Sequence, residues 1–122
     1  MADWYTRVVF FSADVAAALA FYEDCLGFTA AWRYEEGGKL TVAQANFSGC
    51  EIILSLDPSR AGRSRLFISL EQNEMSTLES LIAERELPAK EGWWGYPVLE
   101  IRDPDGNELF FPREADGTQH EV

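Results

Sequence analysis

The chain has 122 residues, of which 47% are hydrophobic and 25% are charged, and this length and composition predict one globular domain with a sizeable core. The 10 basic and 21 acidic residues give a net charge of −11, which argues against nucleic acid as a partner and favours a cationic ligand, although negative charge also serves solubility alone. Apolar runs stay far below the roughly 18 residues of a membrane span, and the N-terminus has no basic region followed by an apolar segment. Neither a membrane partner nor a secretory signal is therefore expected, and a cytoplasmic location follows.

The first half of the chain predicts a strand, a helix and three further strands. Residues 7–12 are a β-branched and aromatic run, and Ser12 and Asp14 offer N-caps for a helix. Apolar residues from Val15 to Leu26 recur with a period of 3.6, and Gly27 is placed to end this helix in the left-handed conformation. Three strand-like runs separated by glycine-containing turns complete a βαβββ unit, at residues 28–34, 40–47 and 50–56.

The second half of the chain restarts the same order. Residues 65–70 predict a strand, Asn73 or Ser76 offers the N-cap of a second helix, and residues 87–90 suggest a short strand. The chain closes with a β-hairpin whose strands, about 96–102 and 108–111, flank the turn sequence Asp103-Pro104-Asp105-Gly106-Asn107.

The restart is also visible in the residues themselves. Ser48–Leu54 matches Asp105–Phe111 at an offset of 57, and Arg7–Phe10 matches Arg65–Ile68 at an offset of 58. Two such matches indicate two similar halves related by a pseudo-twofold axis. We therefore predict an α+β fold of two βαβββ modules whose curved mixed sheet forms a concave cleft, with the helices on its outer face. The predicted divisions of the single domain are module 1 at about 5–57, a connector at about 58–64, module 2 at about 65–113 and a tail at 114–122.

Alternation along the strands divides the side chains into two sets. The more uniformly apolar set is expected to pack against the helices, and it comprises Val8, Phe10, Ile52, Leu54, Leu66, Ile68, Leu70, Leu99, Ile101, Leu109 and Phe111. The other set mixes aromatic and charged residues, the composition of a small-molecule cleft. The candidate ligand-binding residues on this cleft and at its mouth are Arg7, Trp32, Tyr34, Glu51, Arg65, Trp93, Trp94, Tyr96, Glu100, Glu108 and Phe110. Arginine–glutamate pairs that only connect the strands are the alternative for the charged members.

Metal-ligating and nucleophilic residues are sparse. Cys25 and Cys50 fit no close metal or redox pair and are interpreted as two separate buried thiols. The single histidine, His120, lies in the polar tail, so no histidine cluster exists to hold a transition metal. From the residues alone, no metal site and no catalytic nucleophile is predicted.

Two segments resemble signatures of the vicinal oxygen chelate superfamily, which includes glyoxalase I, extradiol dioxygenases, and fosfomycin and bleomycin resistance proteins. Asp14 followed by Phe21–Phe28 is similar to the first-helix signature, and Asp103–Asn107 is similar to the last-hairpin signature. Enzymes of this superfamily hold a divalent metal with His, Gln or Glu from the first and last strands of each module. The resemblance carries those places onto Arg7, Ile53, Arg65 and Phe110, and none of these side chains can ligate a metal. Glyoxalase, dioxygenase and thiol-transferase activities are therefore not expected, and no cofactor is implied.

Within this resemblance the chain is closest in character to the metal-free bleomycin resistance proteins, acidic dimers that sequester a cationic, flat-ringed antibiotic in clefts between subunits. This implies a cytoplasmic homodimer, with module exchange between chains left open, that confers antibiotic resistance by binding. The leading hypothesis is a non-catalytic protein whose tryptophans stack on a planar ligand. One alternative is a metal-independent enzyme in which Glu51, Glu100 or Glu108 acts as a general base beside Arg7 or Arg65. Another is an interaction module whose cleft is filled by another chain.

Overall fold

Two four-stranded mixed sheets, each with one α-helix, make up the computed structural model, which describes residues 4–113. The predicted tail and His120 lie outside the described residues. Neither helix in residues 4–113 is long and apolar enough to cross a membrane. The elements in chain order are β1 (Val8–Ser12), α1 (Val15–Ala20), β2 (Thr29–Glu36), β3 (Lys39–Phe47), β4 (Cys50–Leu56), β5 (Arg65–Phe67), α2 (Gln72–Arg85), β6 (Ala89–Trp93), β7 (Pro97–Arg102) and β8 (Glu108–Pro112).

The two sheets have the same topology. The first sheet has the order β1-β4-β3-β2 and the second has the order β5-β8-β7-β6, so each strand of one has a counterpart in the other. In both sheets the first strand pairs in parallel with the last, and the remaining pairs are antiparallel. The predicted α+β fold of two βαβββ modules is confirmed.

The first helix begins as predicted and ends differently. Asp14 caps α1 by accepting a hydrogen bond from the Ala17 N–H at 3.1 Å, and Gly27 has a φ of +79°. Between them, the predicted single helix is divided into α1 and a π-helical turn at Phe21–Cys25. This wider turn keeps Tyr22 fully buried against the core.

The start of the second helix was predicted wrongly. Neither Asn73 nor Ser76 is its N-cap; α2 begins at Gln72, and Glu71 and Glu74 form a reciprocal capping box in which the Glu71 N–H donates to the Glu74 carboxylate at 3.1 Å. The reason is that β5 ends at Phe67, three residues earlier than predicted, so the chain leaves the sheet sooner. The predicted strand at 87–90 is likewise displaced, since β6 runs from Ala89 to Trp93.

One hydrophobic core joins the two modules. The apolar set predicted to pack against the helices does so: eight of its members are buried, and Val8, Leu66 and Leu70 are partly buried against them. Both helices contribute, through Leu19 of α1 and Leu78 of α2. Most of the helix-bearing face of each sheet is therefore covered, and we look for function on the opposite faces and at the edges.

The turn between β7 and β8 fastens the second module to the first. Asp103 is buried, and its carboxylate accepts hydrogen bonds from the Tyr22 hydroxyl at 2.8 Å and from the Asn107 side-chain amide at 2.9 Å. Asp105 accepts a hydrogen bond from the Ala13 N–H at 2.8 Å, at the start of the first helical segment. Burial, and then the Asp103 charge, raise the pKa of Tyr22 well above its usual value, so its phenol stays protonated and donates at neutral pH. The two signature segments thus contact each other and set the geometry between the modules.

Candidate functional site

The face of the first sheet opposite its helix is open and aromatic. The register places Val9, Ile53, Gln44 and Trp32 side by side across the four strands of this sheet. Val9 is 44% exposed, Trp32 is 41% exposed, and Tyr34, two residues further along β2, is 54% exposed. Exposed aromatic and aliphatic side chains gathered on one sheet face are typical of a ligand or protein contact surface.

Gln44 organises the polar groups of this open face. Its side chain is 5% exposed, and its carbonyl oxygen accepts hydrogen bonds from Arg7 Nη1 at 3.2 Å and from Trp32 Nε1 at 3.0 Å. Its amide nitrogen donates to Asn46 at 3.0 Å and to Glu51 at 3.2 Å. Arg7 and Glu51 are therefore linked through an amide rather than as an ion pair. The indole of Trp32 is held in place by the same group.

Sequence reasoning missed Gln44, although a signal for it was present. Alternation along β3 puts Ala43 and Ala45 on the buried, helix-bearing face, which leaves Gln44 on the opposite face beside Ile53. A glutamine between two alanines in the middle of a central strand indicates a polar group that needs partners across the sheet.

On the second sheet, the corresponding face is covered by its own aromatic residues. The Trp94 ring lies 4.8 Å from the Phe110 ring and 5.1 Å from the Phe67 ring, centroid to centroid, and Tyr96 lies 6.4 Å from Phe67. The loop that carries Trp94 turns at Gly95, whose φ is +84°, and is closed by a hydrogen bond from the Trp94 N–H to the Tyr96 carbonyl at 3.0 Å. Phe110 is consequently 5% exposed, whereas Trp94 is 49% exposed and forms the outer layer.

The predicted charged residues of the second sheet each lie near an oppositely charged side chain. Glu108 is bridged to Arg65 at 3.0 Å and to Arg102 at 2.9 Å, and Glu100 lies 3.9 Å from the Lys90 ammonium. Together with the Gln44–Glu51 hydrogen bond, these contacts give each proposed general base a polar partner. None of them is the isolated carboxylate in an apolar cleft that a metal-free base mechanism would need.

Trp93 does not join the other predicted site residues. Gly92 faces Glu100, whose carboxylate occupies the space that a side chain at Gly92 would need, so Trp93 lies on the opposite face of β6 by alternation. Glu91 shares that opposite face and is bridged by an arginine to Glu79 of α2. Trp93 is therefore on the helix side of the sheet, where it is 72% exposed.

The remaining predicted residues fall into two groups on different sheets. Hydrogen bonds join Arg7, Trp32 and Glu51 on the first sheet, with Tyr34 on the same face. Ion pairs and ring contacts join members of the second group to neighbours on the second sheet, and this group comprises Arg65, Trp94, Tyr96, Glu100, Glu108 and Phe110. One group is open to a ligand, and the other presents a surface already lined by Trp94.

Comparison with known protein families shows which family has this fold. The model of the Glyoxalase/Bleomycin resistance protein/Dioxygenase superfamily matches residues 4–111. The chain belongs to this superfamily. A search of curated proteins finds no match.

Solved structures of superfamily members share the fold. A glyoxalase/bleomycin resistance protein from Catenulispora acidiphila superposes with a TM-score of 0.72 at 24% identity, covering 90% of this chain and 97% of its own. The bleomycin-binding protein of Streptomyces verticillus, solved with copper(II)-bleomycin, gives 0.67 at 20% identity, covering 94% and 100%. A lactoylglutathione lyase from Agrobacterium tumefaciens gives 0.66 at 18% identity, covering 91% and 93%. At these identities the likeness shows the fold alone.

The residues at the superfamily's metal positions do not fit a divalent metal. Arg7 donates to Gln44 and Arg65 pairs with Glu108, so both positions carry cations, while Ile53 and Phe110 offer no donor atom. Elsewhere in residues 4–113, no three His, Cys, Asp or Glu side chains are grouped to hold a metal ion. The donor chemistry of these positions thus differs from that of a metal-dependent member of the superfamily.

The two cysteines are unpaired as predicted, but both are half-buried rather than buried. Both are free thiols. Burial raises the pKa of Cys50 to about 11, so its thiol stays protonated, and weakly nucleophilic, at neutral pH.

Proposed function

We propose that this protein is a metal-independent small-molecule binding protein that holds a planar ligand against the open face of the first sheet. The observation that carries the proposal is the pair of exposed rings, Trp32 and Tyr34, of which the Trp32 indole is held in one orientation by its hydrogen bond to Gln44. A ring already held in one orientation loses little conformational entropy when a ligand stacks on it, which favours binding. The unsuitable donors at the metal positions support binding rather than the metal chemistry of other members.

A planar and cationic ligand agrees best with the charge of the protein. The net charge of −11 attracts cations from a distance, and Glu51 lies on the same face as Trp32, with which it shares Gln44. The paired charges of the second sheet contribute less, because Arg65 and Arg102 offset Glu108. In the Streptomyces verticillus relative the bound molecule is copper(II)-bleomycin. Sequestration of a related antibiotic in the cytoplasm is the role that we propose here.

We propose further that the protein works as a homodimer. The open first sheet exposes Val9, Trp32 and Tyr34, and the second sheet presents the outer surface of Trp94. The second sheet of another copy, laid over the first sheet, would enclose the ligand between Trp32 and the partner's Trp94. Sedimentation equilibrium checks this arrangement; a strictly monomeric protein would contradict it, and a dimer that excludes ligand would favour the interaction module instead.

Replacing Trp32 by alanine is expected to weaken the binding of planar cations at least about tenfold, because stacking adds about 0.5–1.5 kcal/mol to the effect of the lost buried area. The measurement is a fluorescence titration of the purified protein with copper(II)-bleomycin and, separately, with proflavine, a small planar cation. The wild-type protein should give a saturable change with at least one of the two.

Trp93→Ala is the matched control. It removes the same type of side chain from the helix side of the second sheet, away from the proposed site. The affinity for the planar cation should therefore stay at the wild-type value. The proposed function fails if neither probe gives a saturable signal, or if Trp93→Ala weakens binding as much as Trp32→Ala does.

A further inference from the structure

A separate pocket lies between the two modules, away from the open face of the first sheet. It has a volume of about 550 Å³ and lies where β6 begins beside the end of β7. Phe21 enters it from the first module, on the π-helical turn, and the rest of its lining comes from the second module: Leu87, Pro88, Ala89, Lys90, Glu100, Ile101 and Arg102. Of the predicted site residues, only Glu100 borders it. Its size is that of a small-molecule site, such sites favour boundaries between structural units, and single π-helical turns are frequent at functional sites.

The lining of this pocket is amphipathic. Its apolar part is formed by Phe21, Leu87 and Pro88, while Ile101 is almost fully buried beside them. Its charged members are two cations, Lys90 and Arg102, and one anion, Glu100. The lining thus carries more basic than acidic side chains, in a protein whose net charge is −11, and Arg102 is paired with Glu108 beside the pocket.

Lys90 is the cation best placed to meet a ligand. Its ammonium lies 3.9 Å from the nearer Glu100 oxygen, which is beyond hydrogen-bonding distance, and its side chain is 68% exposed. Arg102 by contrast already donates to Glu108 at 2.9 Å. A ligand carboxylate can therefore take a hydrogen bond from Lys90 without breaking a short ion pair.

We propose that this pocket binds an amphipathic monocarboxylate, with its hydrocarbon part against Phe21, Leu87 and Pro88 and its carboxylate on Lys90. The ligand class is opposite in charge to the one proposed for the open face of the first sheet. The two sites therefore take different molecules and can be tested separately.

The test is a titration of the full chain with octanoate, octylammonium and 1-octanol, which share one tail and differ in the head group. Binding is monitored by NMR through the backbone amide chemical shifts. Octanoate should bind saturably and tightest of the three, with the largest shifts at Phe21, Ala89 and Ile101. Lys90→Met should weaken octanoate binding at least about tenfold, since a hydrogen bond to a charged group is lost.

Lys39→Met is the matched control because Lys39 is the other lysine of the chain and lies at the start of β3, in the opposite module. It removes the same charge and should leave octanoate affinity unchanged. The inference is overturned if octylammonium or octanol binds as tightly as octanoate. It is equally overturned if the shifts centre on Trp32, if no saturable binding occurs, or if both lysine variants lose affinity alike.

Discussion

Replacing Asp103 by alanine is expected to lower the free energy of unfolding by about 3–5 kcal/mol. The carboxylate accepts four hydrogen bonds: from the Tyr22 hydroxyl, from the Asn107 side chain, and from the N–H groups of Asp105 and Asn107. Tyr22 and Asn107 are fully buried, so each would lose a partner that water cannot readily replace. The measurement is urea unfolding followed by tryptophan fluorescence, at one fixed protein concentration so that any dimerisation contributes equally.

Asp24→Ala is the control for the loss of one negative charge, because Asp24 is exposed on the π-helical turn next to Tyr22. It should change the free energy of unfolding by less than about 0.5 kcal/mol. A loss in Asp103→Ala no larger than in Asp24→Ala would show that the turn does not fasten the two modules together.

Replacing Gly62 by alanine is expected to lower the free energy of unfolding by about 2–5 kcal/mol. Gly62 has a φ of +80°, which costs an alanine about 1–2 kcal/mol, and an added Cβ would overlap the backbone carbonyl oxygen of Asp105. Backbone cannot move aside as a flexible side chain can, so overpacking adds about 1–3 kcal/mol. The measurement is again urea unfolding followed by tryptophan fluorescence. In the variant, the connector at about 58–64 should move away from the β7–β8 turn.

Gly38→Ala separates the two contributions. Gly38 has nearly the same φ, +79°, but nothing lies within 4 Å of the added Cβ, so only the backbone cost remains. Gly38→Ala should lower the free energy of unfolding by about 1–2 kcal/mol, clearly less than Gly62→Ala does. Equal losses in the two variants would mean that the connector does not press against the turn.

The features that the sequence predicted correctly depend on nearby residues or on repeated patterns. Asp14 and Gly27 bound the first helical segment because capping and left-handed glycine act within one turn of chain. The hairpin turn was recognisable because Asp103 accepts from residues two and four positions later. Alternation likewise identified the buried apolar set of each strand. The repeat then supplied the two-module fold.

The start of α2 and the faces occupied by Trp93 and Trp94 were predicted less well, because several nearby residues fitted the same local pattern. Asn73 and Ser76 are favoured N-cap residues and Glu71 is not, so residue type pointed to the wrong positions. The N-cap position was set by the early end of β5 at Phe67, after which the chain leaves the sheet. Trp93 and Trp94 are equally good candidate ligand-binding residues by residue type, but the strand register places them on different faces of the second sheet.

By itself, then, the sequence indicated the superfamily, the two βαβββ modules, the buried faces of the strands and the poor ligand chemistry of Arg7, Ile53, Arg65 and Phe110. The superfamily followed from the resemblance of two short motifs, the modules from the internal repeat, and the other two properties from residue type and alternation. Only the tertiary structure decided that Gln44 links Arg7 to Glu51, that Trp94 covers its own sheet, and that Phe21 meets β6 and β7 in a pocket between the modules. Each of these depends on which side chains meet across strands or modules, and that is set by the register of the sheets and the packing of the core.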